Sequence, residues 1–259
     1  MPQIIRTITF VRHGQSEQNL IKPDKHPVTP EQLRLFRERE TGDHRLTKQG
    51  VAEARRLGEM LRSLKLTFDL LVTSSYVRAQ ETLLEAGLEG SIEVSPLLDE
   101  RYSGEHEPLR HSEALERFPS ADRDRRRKET RWRPENGESM RDVLTRTLLF
   151  MGQLHELEGG NGNVLIVSHS RVIASYMWWA EQLEDGQVPG AADGSGGGIV
   201  VANGEVTQYG WAKNSLRPTH KRSFLSGQLQ SLDWQPLPTS PRFSPADLRR
   251  MVEAYPRIL

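Results

Sequence analysis

The 259-residue chain contains no cysteine. That absence removes disulfides, thiolate metal sites and cysteine nucleophiles together, and it fits a reducing compartment. Excess charge of either sign is missing too, since 35 Lys and Arg balance 35 Asp and Glu. A chain without a global field has no general hold on nucleic acid or an acidic membrane surface, so any anion recognition must be local. No run approaches the roughly 20 apolar residues that span a bilayer. Met1 to Phe10 leads straight into Arg12-His13, as a first strand does and a signal peptide does not. A cytoplasmic protein that binds neither membrane nor nucleic acid is the expectation. Metal-ligand spacing is also lacking, because His26, His44, His106 and His111 scatter without a His-x-x-x-His pattern. No metal or other cofactor is expected.

What is present is the composition of a self-folding domain, with 36% apolar and 27% charged residues, enough for a large core. Ile4 to Val11, Asp69 to Thr73 and Val164 to Val167 are β-branched, apolar runs that read as buried parallel strands, and Ile92 to Val94 reads as a shorter one. Between them lie helical patterns. Thr47 offers an N-cap to a helix over about 48 to 64, with Val51, Ala54, Leu57, Leu61 and Leu64 on one face. Further helices carry Arg78 and Thr82, run from Ser139 to about Leu157, and carry Ile173, Met177 and Trp178. The alternation predicts an α/β fold of three layers, α/β/α, around a mainly parallel sheet. Residues 20 to 44, punctuated by Pro23, Pro27 and Pro30, and the charge-rich residues 105 to 136 read as insertions. Gly186 to Gly198 reads as a loop, and Asn203-Gly204 predicts a hairpin between Ile199 to Ala202 and Glu205 to Tyr209. One domain over 1 to 215 is expected, with an irregular C-terminal extension over 216 to 259 packed on it and holding one short helix, Pro245 to Ala254.

Strand ends carry the chemistry. Arg12 and His13, Ser74-Ser75 followed by Arg78, the loop with Glu100, and Ser168-His169-Ser170 all fall where open α/β sheets bind ligands. Two guanidiniums and two imidazoles at one edge suit a phosphate. Arg12 and Arg78 can clamp phosphoryl oxygens and neutralise their charge. The same cations lower the pKa of His13 and keep it neutral for attack on phosphorus, if its other nitrogen finds an acceptor such as a main-chain carbonyl near Gly14. Glu100 is the candidate acid for the departing oxygen, with Asp99 and Glu105 close by in sequence.

Arg12-His13-Gly14-Gln15-Ser16-Glu17-Gln18-Asn19 resembles the signature of the histidine phosphatase superfamily, the phosphoglycerate-mutase-like fold. Leu46-Thr47-Lys48-Gln49-Gly50, Ser74 to Thr82, Leu98 to Arg101, Gly137-Glu138-Ser139 and Val167-Ser168-His169 resemble further blocks of that family, in its order. The resemblance implies that His13 is phosphorylated, that Glu100 is the proton donor, and that Arg12, Arg78 and His169 bind the phosphoryl group with Asn19 in support. The chain departs from the pattern at Ser170, where Gly is usual, at Glu105-His106-Glu107, and in the length of residues 20 to 44.

A phosphomonoester hydrolase acting on a small phosphorylated metabolite or phosphoprotein is the leading expectation. A phosphoglycerate mutase is the alternative among enzymes, disfavoured because mutases of this resemblance carry a longer insertion than 101 to 136. A silent module that binds phosphorylated ligands is the alternative outside them. The run Arg123, Arg125, Arg126, Arg127, Lys128, Arg131 and Arg133 reads as a solvated or ion-paired face in a neutral protein, some of whose arginines could grip a second anionic group of the substrate. The oligomeric state stays open, with a homodimer through exposed Trp178 and Trp179 as one reading.

Overall fold

The computed structural model describes residues 4–24, 26–121, 129–157, 162–184, 201–212, 218–225 and 233–237. Among these residues seven strands form one sheet: β1 (Ile4–Arg12), β2 (Leu70–Ser74), β3 (Ile92–Ser95), β4 (Gly162–Ser168), β5 (Glu205–Ala212), β6 (His220–Leu225) and β7 (Gln235–Pro236), in spatial order β3-β2-β4-β1-β5-β6-β7. The first four run parallel, and β5, β6 and β7 continue the sheet antiparallel. The central strands are buried on both faces, which is why they read as unbroken apolar runs rather than alternating ones.

Among the described residues seven α-helices complete the fold: α1 (Glu17–Ile21), α2 (Pro30–Glu38), α3 (Lys48–Ser63), α4 (Val77–Glu85), α5 (His111–Arg117), α6 (Met140–Leu157) and α7 (Ser170–Ala180). On one face Ile8, Phe10, Val72, Val164 and Ile166 pack against Val143, Phe150 and Leu154 of α6 and Val172, Ile173 and Tyr176 of α7. On the other, Val11, Leu71, Leu165 and Val167 pack against Leu57 and Leu61 of α3 and Ala79 and Leu83 of α4. The period-2 alternation of each strand thus serves two helical layers. Thr47 caps α3 as expected, its side chain accepting from the Gly50 N–H. No helix among the described residues is long and apolar enough to cross a membrane.

Three expectations change. Both sides of β5 are taken by β1 and β6, and of the strand expected over Ile199 to Ala202 residues 201 and 202 are not in a strand, while residues 199 and 200 lie outside the described residues. The Val201 carbonyl accepts from Arg12 Nη1 at 2.6 Å and the Gly204 N–H donates to the Arg12 carbonyl at 3.1 Å. These bonds tie the segment to the end of β1 instead of to a ladder with β5. Within the expected C-terminal extension, β6 and β7 are strands, because β5 would otherwise present an unpaired edge. Pro236 on β7 blunts the new edge. Trp178 and Trp179 are half-buried, not exposed. Trp178 packs against Met140 and Ala174 beneath the Arg141 guanidinium, and Trp179 lies 5.5 Å from the Tyr176 ring. The loop over 186 to 198, the basic residues 123 to 128 and the helix expected over 245 to 254 lie outside the described residues.

Candidate active site

Register brings the site together. Arg12 pairs with Ser168, and Thr73 with Val167, so the last residues of β1, β4 and β2 end on one level. His13 and His169, each one residue past its strand, then stand side by side with ring centroids 5.0 Å apart. Antiparallel β5 begins at the same edge and delivers Asn203, whose side-chain amide donates to the His13 carbonyl at 2.8 Å and to Asn19 Oδ1 at 3.2 Å.

The β1 loop is clamped onto the N-terminus of α3. A Cβ on Gly50 would stand 2.0 Å from the Gln15 carbonyl oxygen, so nothing larger than glycine allows this approach. The loop is also held by the Gly14 N–H, which donates to Thr82 Oγ1 at 3.1 Å.

Within this frame His13 is fully specified. Its Nδ1 lies 2.7 Å from the Gly14 carbonyl oxygen, which only accepts, so Nδ1 carries the proton and Nε2 keeps its lone pair. Arg78 Nε donates to that Nε2 at 3.3 Å. Burial, then the Arg78 and Arg12 charges, hold the His13 pKa well below the usual histidine range. A neutral imidazole oriented this way can attack an electrophile through Nε2.

Arg78 is wholly buried, with Nη1 donating to the Thr41 carbonyl at 2.8 Å and its guanidinium 4.6 Å from the Tyr76 ring centroid. Burial pushes the Arg12 guanidinium down to about 10, opposed by Glu100. Two atoms here, Arg12 Nε and His169 Nδ1, are buried with no protein partner. His169 Nε2 lies 2.8 Å from Ser74 Oγ, and burial, reinforced by Arg78, holds its pKa well below the usual range. Asn19 is occupied structurally, Oδ1 accepting from the Ser16 N–H and hydroxyl, both at 3.0 Å.

Of the three acid candidates, Glu100 lines the cavity and Asp99 and Glu105 do not. Asp99 accepts from the Ser74 hydroxyl at 2.7 Å, the Ser75 N–H at 2.8 Å and the Ser75 hydroxyl at 2.7 Å. Glu105 faces Arg117 at 3.7 Å. Glu100 is held from across the site, accepting from the Ser170 hydroxyl at 3.1 Å and from the Arg171 N–H at 3.3 Å. Ser170, where Gly is usual, thus contributes a hydroxyl that holds Glu100. The resulting cavity, about 700 Å³, contains Arg12, His13, Asn19, Arg78 and Glu100, within the usual range for small-molecule sites. Sequence reasoning missed Arg171 and Asn203 in its lining. Arg171 could have been suspected from its place two residues after His169, whereas Asn203 carried only a turn signal. Of the expected arginine run, Arg133 pairs with Asp142 at 2.7 Å on the surface. Among the described residues no cluster of His, Asp or Glu is placed to hold a metal ion.

The geometry agrees with what the chain is similar to. The sequence profile of the histidine phosphatase superfamily, branch 1, matches residues 8–192. A 2,3-bisphosphoglycerate-dependent phosphoglycerate mutase of Azorhizobium caulinodans is 37% identical over 155 residues, 57% of this chain and 68% of that protein. Its counterpart in Methylobacterium radiotolerans is 33% identical over 192 residues, 71% of this chain and 83% of that one. Two solved structures share the fold. The alpha-ribazole phosphatase of Shigella flexneri superposes with a TM-score of 0.60 at 20% identity, over 78% of this chain and 89% of that one. A mycobacterial glucosyl-3-phosphoglycerate phosphatase superposes with a TM-score of 0.62 at 21% identity, over 85% and 97%. With the profile spanning most of the chain and the two histidines meeting where its sheet ends, the protein belongs to the histidine phosphatase superfamily, branch 1.

Proposed function

We propose that the protein is a phosphomonoesterase that works through a phosphohistidine. The observation that carries this reading is the state of His13, with Nδ1 held by the Gly14 carbonyl and Nε2 unprotonated, accepting from Arg78. Nε2 attacks phosphorus, the bond from phosphorus to the ester oxygen breaks, and that oxygen takes a proton held by Glu100. Water then gives a proton to Glu100 as its oxygen attacks phosphorus, the N–P bond breaks and phosphate leaves. Arg12 and Arg78 balance the phosphoryl charge in a buried setting where such contacts are strong. The partnerless Arg12 Nε supports an acceptor-rich guest, since a buried donor without a partner costs free energy.

His13→Ala is expected to abolish turnover of p-nitrophenyl phosphate, and acid-labile phosphate is expected on His13 of the wild type. Equal rates for the two proteins would remove the phosphohistidine step. The relatives in Azorhizobium and Methylobacterium favour a second reading, phosphoglycerate mutase. Incubation with 3-phosphoglycerate and a 2,3-bisphosphoglycerate primer separates the two. Hydrolysis predicts free phosphate, whereas rapid 2-phosphoglycerate with little free phosphate establishes the mutase.

A further inference from the structure

The far wall of the cavity is chemically unlike its phosphate end. Leu109, Ala114, Leu115 and Phe118 line it together with Trp132 and His106. The His106 ring stacks on Phe118, centroids 4.3 Å apart and planes at 10°, and meets Trp132 edge-on at 6.0 Å. Burial, with Lys22 and Arg101 nearby, lowers the His106 pKa, so that ring is neutral at neutral pH, while the Arg117 and Arg101 guanidiniums lie over the Phe118 and Trp132 rings, each 5.4 Å from the centroid. The wall is open to solvent at α5, while Trp132 at its base is buried. Leu115 is 41% exposed and Phe118 is half-buried, although both belong to the short helix α5 and its end, where they could have faced inward. Exposed apolar surface that is continuous with a cationic pocket gains by being covered. A compact, fully charged guest such as phosphoglycerate has no apolar surface with which to cover it.

We propose that the wall of Leu109, Leu115, Phe118 and Trp132 receives the leaving group, and that the substrates are phosphomonoesters of aromatic or extended apolar alcohols. This rests on the phosphomonoesterase reading above and names its substrate class. Aromatic guests suit the ring edges of the His106, Phe118 and Trp132 cluster, and the Leu109 and Leu115 side chains that line the same cavity offer aliphatic contact to an alkyl chain.

Ethyl phosphate and 2-(1-naphthyl)ethyl phosphate test the assignment, because their alcohols are similar leaving groups and differ in apolar bulk. The naphthylethyl ester is expected to show a kcat/KM about tenfold higher, mainly through KM, and Leu115→Asp to lower that ratio about tenfold. Leu115→Met, which keeps the apolar surface, is expected to retain the ratio, and a thermal melt of each variant checks its fold. Calorimetry with the two corresponding phosphonates reads the wall without turnover. Equal affinity for the two phosphonates, or a ratio unmoved in a folded Leu115→Asp variant, overturns the proposal even if both esters are cleaved. Tighter binding of the naphthyl phosphonate with no cleavage of either ester upholds the wall's preference and overturns the phosphomonoesterase reading alone.

Discussion

Ser74 Oγ and His169 Nε2 lie 2.8 Å apart, and the bonding around Ser74 decides which of them donates. The Ser74 hydroxyl proton goes to Asp99 at 2.7 Å, so toward His169 the oxygen accepts. His169 thus carries its proton on Nε2 and leaves a buried Nδ1 unprotonated and without a protein partner. The relay Asp99, Ser74, His169 sets the imidazole's tautomer as the Gly14 carbonyl sets that of His13.

Ser74→Ala removes the acceptor for His169 Nε2–H. The expected result is a loss of kcat/KM on the order of tenfold to a hundredfold, as for one buried hydrogen bond left unmade. Nitrogen NMR of labelled histidine checks the cause, with the wild-type proton on Nε2 and the variant mixed between tautomers. A wild-type signal from Nδ1–H contradicts the relay.

Arg78→Gln is expected to do more than weaken phosphate binding. Loss of one charged donor costs about 10²- to 10³-fold in turnover. Burial and then Arg78 are the main causes that keep the His13 pKa low, so without Arg78 that pKa rises and the ring begins to protonate at a higher pH. The acidic limb of the kcat/KM profile must then shift upward relative to wild type. A limb that stays in place contradicts the role given to Arg78.

His44 predicts an acid weakness of the fold. Burial, then Arg78, pushes it down to about 4 from an ordinary value of 6.5. Above pH 6.5 the ring is neutral in folded and unfolded chains alike. As pH falls from there toward 4, the unfolded chain takes a proton that the folded one does not, so stability is lost across that window. His44→Phe keeps a ring against Phe36, now 4.6 Å away, and is expected to flatten the fall of the urea midpoint with acid. Some slope remains, because His13 and His169 are lowered too.

Two glycines make a paired prediction. Gly50→Ala drives a Cβ to 2.0 Å from the Gln15 carbonyl and is expected to cost about 1–3 kcal/mol in urea unfolding. Gly152→Ala, in α6 with nothing within 4 Å of the new carbon, is expected to add about 0.5–1 kcal/mol. Equal effects at the two sites contradict the clamp between the β1 loop and α3.

Much of the site was legible because its residues sit at the ends of strongly patterned elements. The apolar run of β1 stops at Arg12-His13, that of β4 at Ser168-His169, and the Thr47 cap announces α3, all from local periodicity and capping chemistry. Local sequence also determined that a histidine, an arginine pair and an acid were available, and that no cysteine could replace them.

Tertiary structure alone decided how they act. The contacts that set proton positions join residues far apart in the chain: His13 with Arg78 across 65 positions, Ser74 with His169 across 95, and Asn203 with His13 across 190. Strand order and register create them, and neither leaves a mark on the spacing of residues within one element. Glu100 was one of three neighbouring carboxylates until the Ser74 and Ser75 donors claimed Asp99 and Ser170 met Glu100. The apolar wall of α5 was hidden in a charge-rich stretch for the same reason, since only the packed chain reveals that Leu115 and Phe118 face the cavity that His13 opens onto.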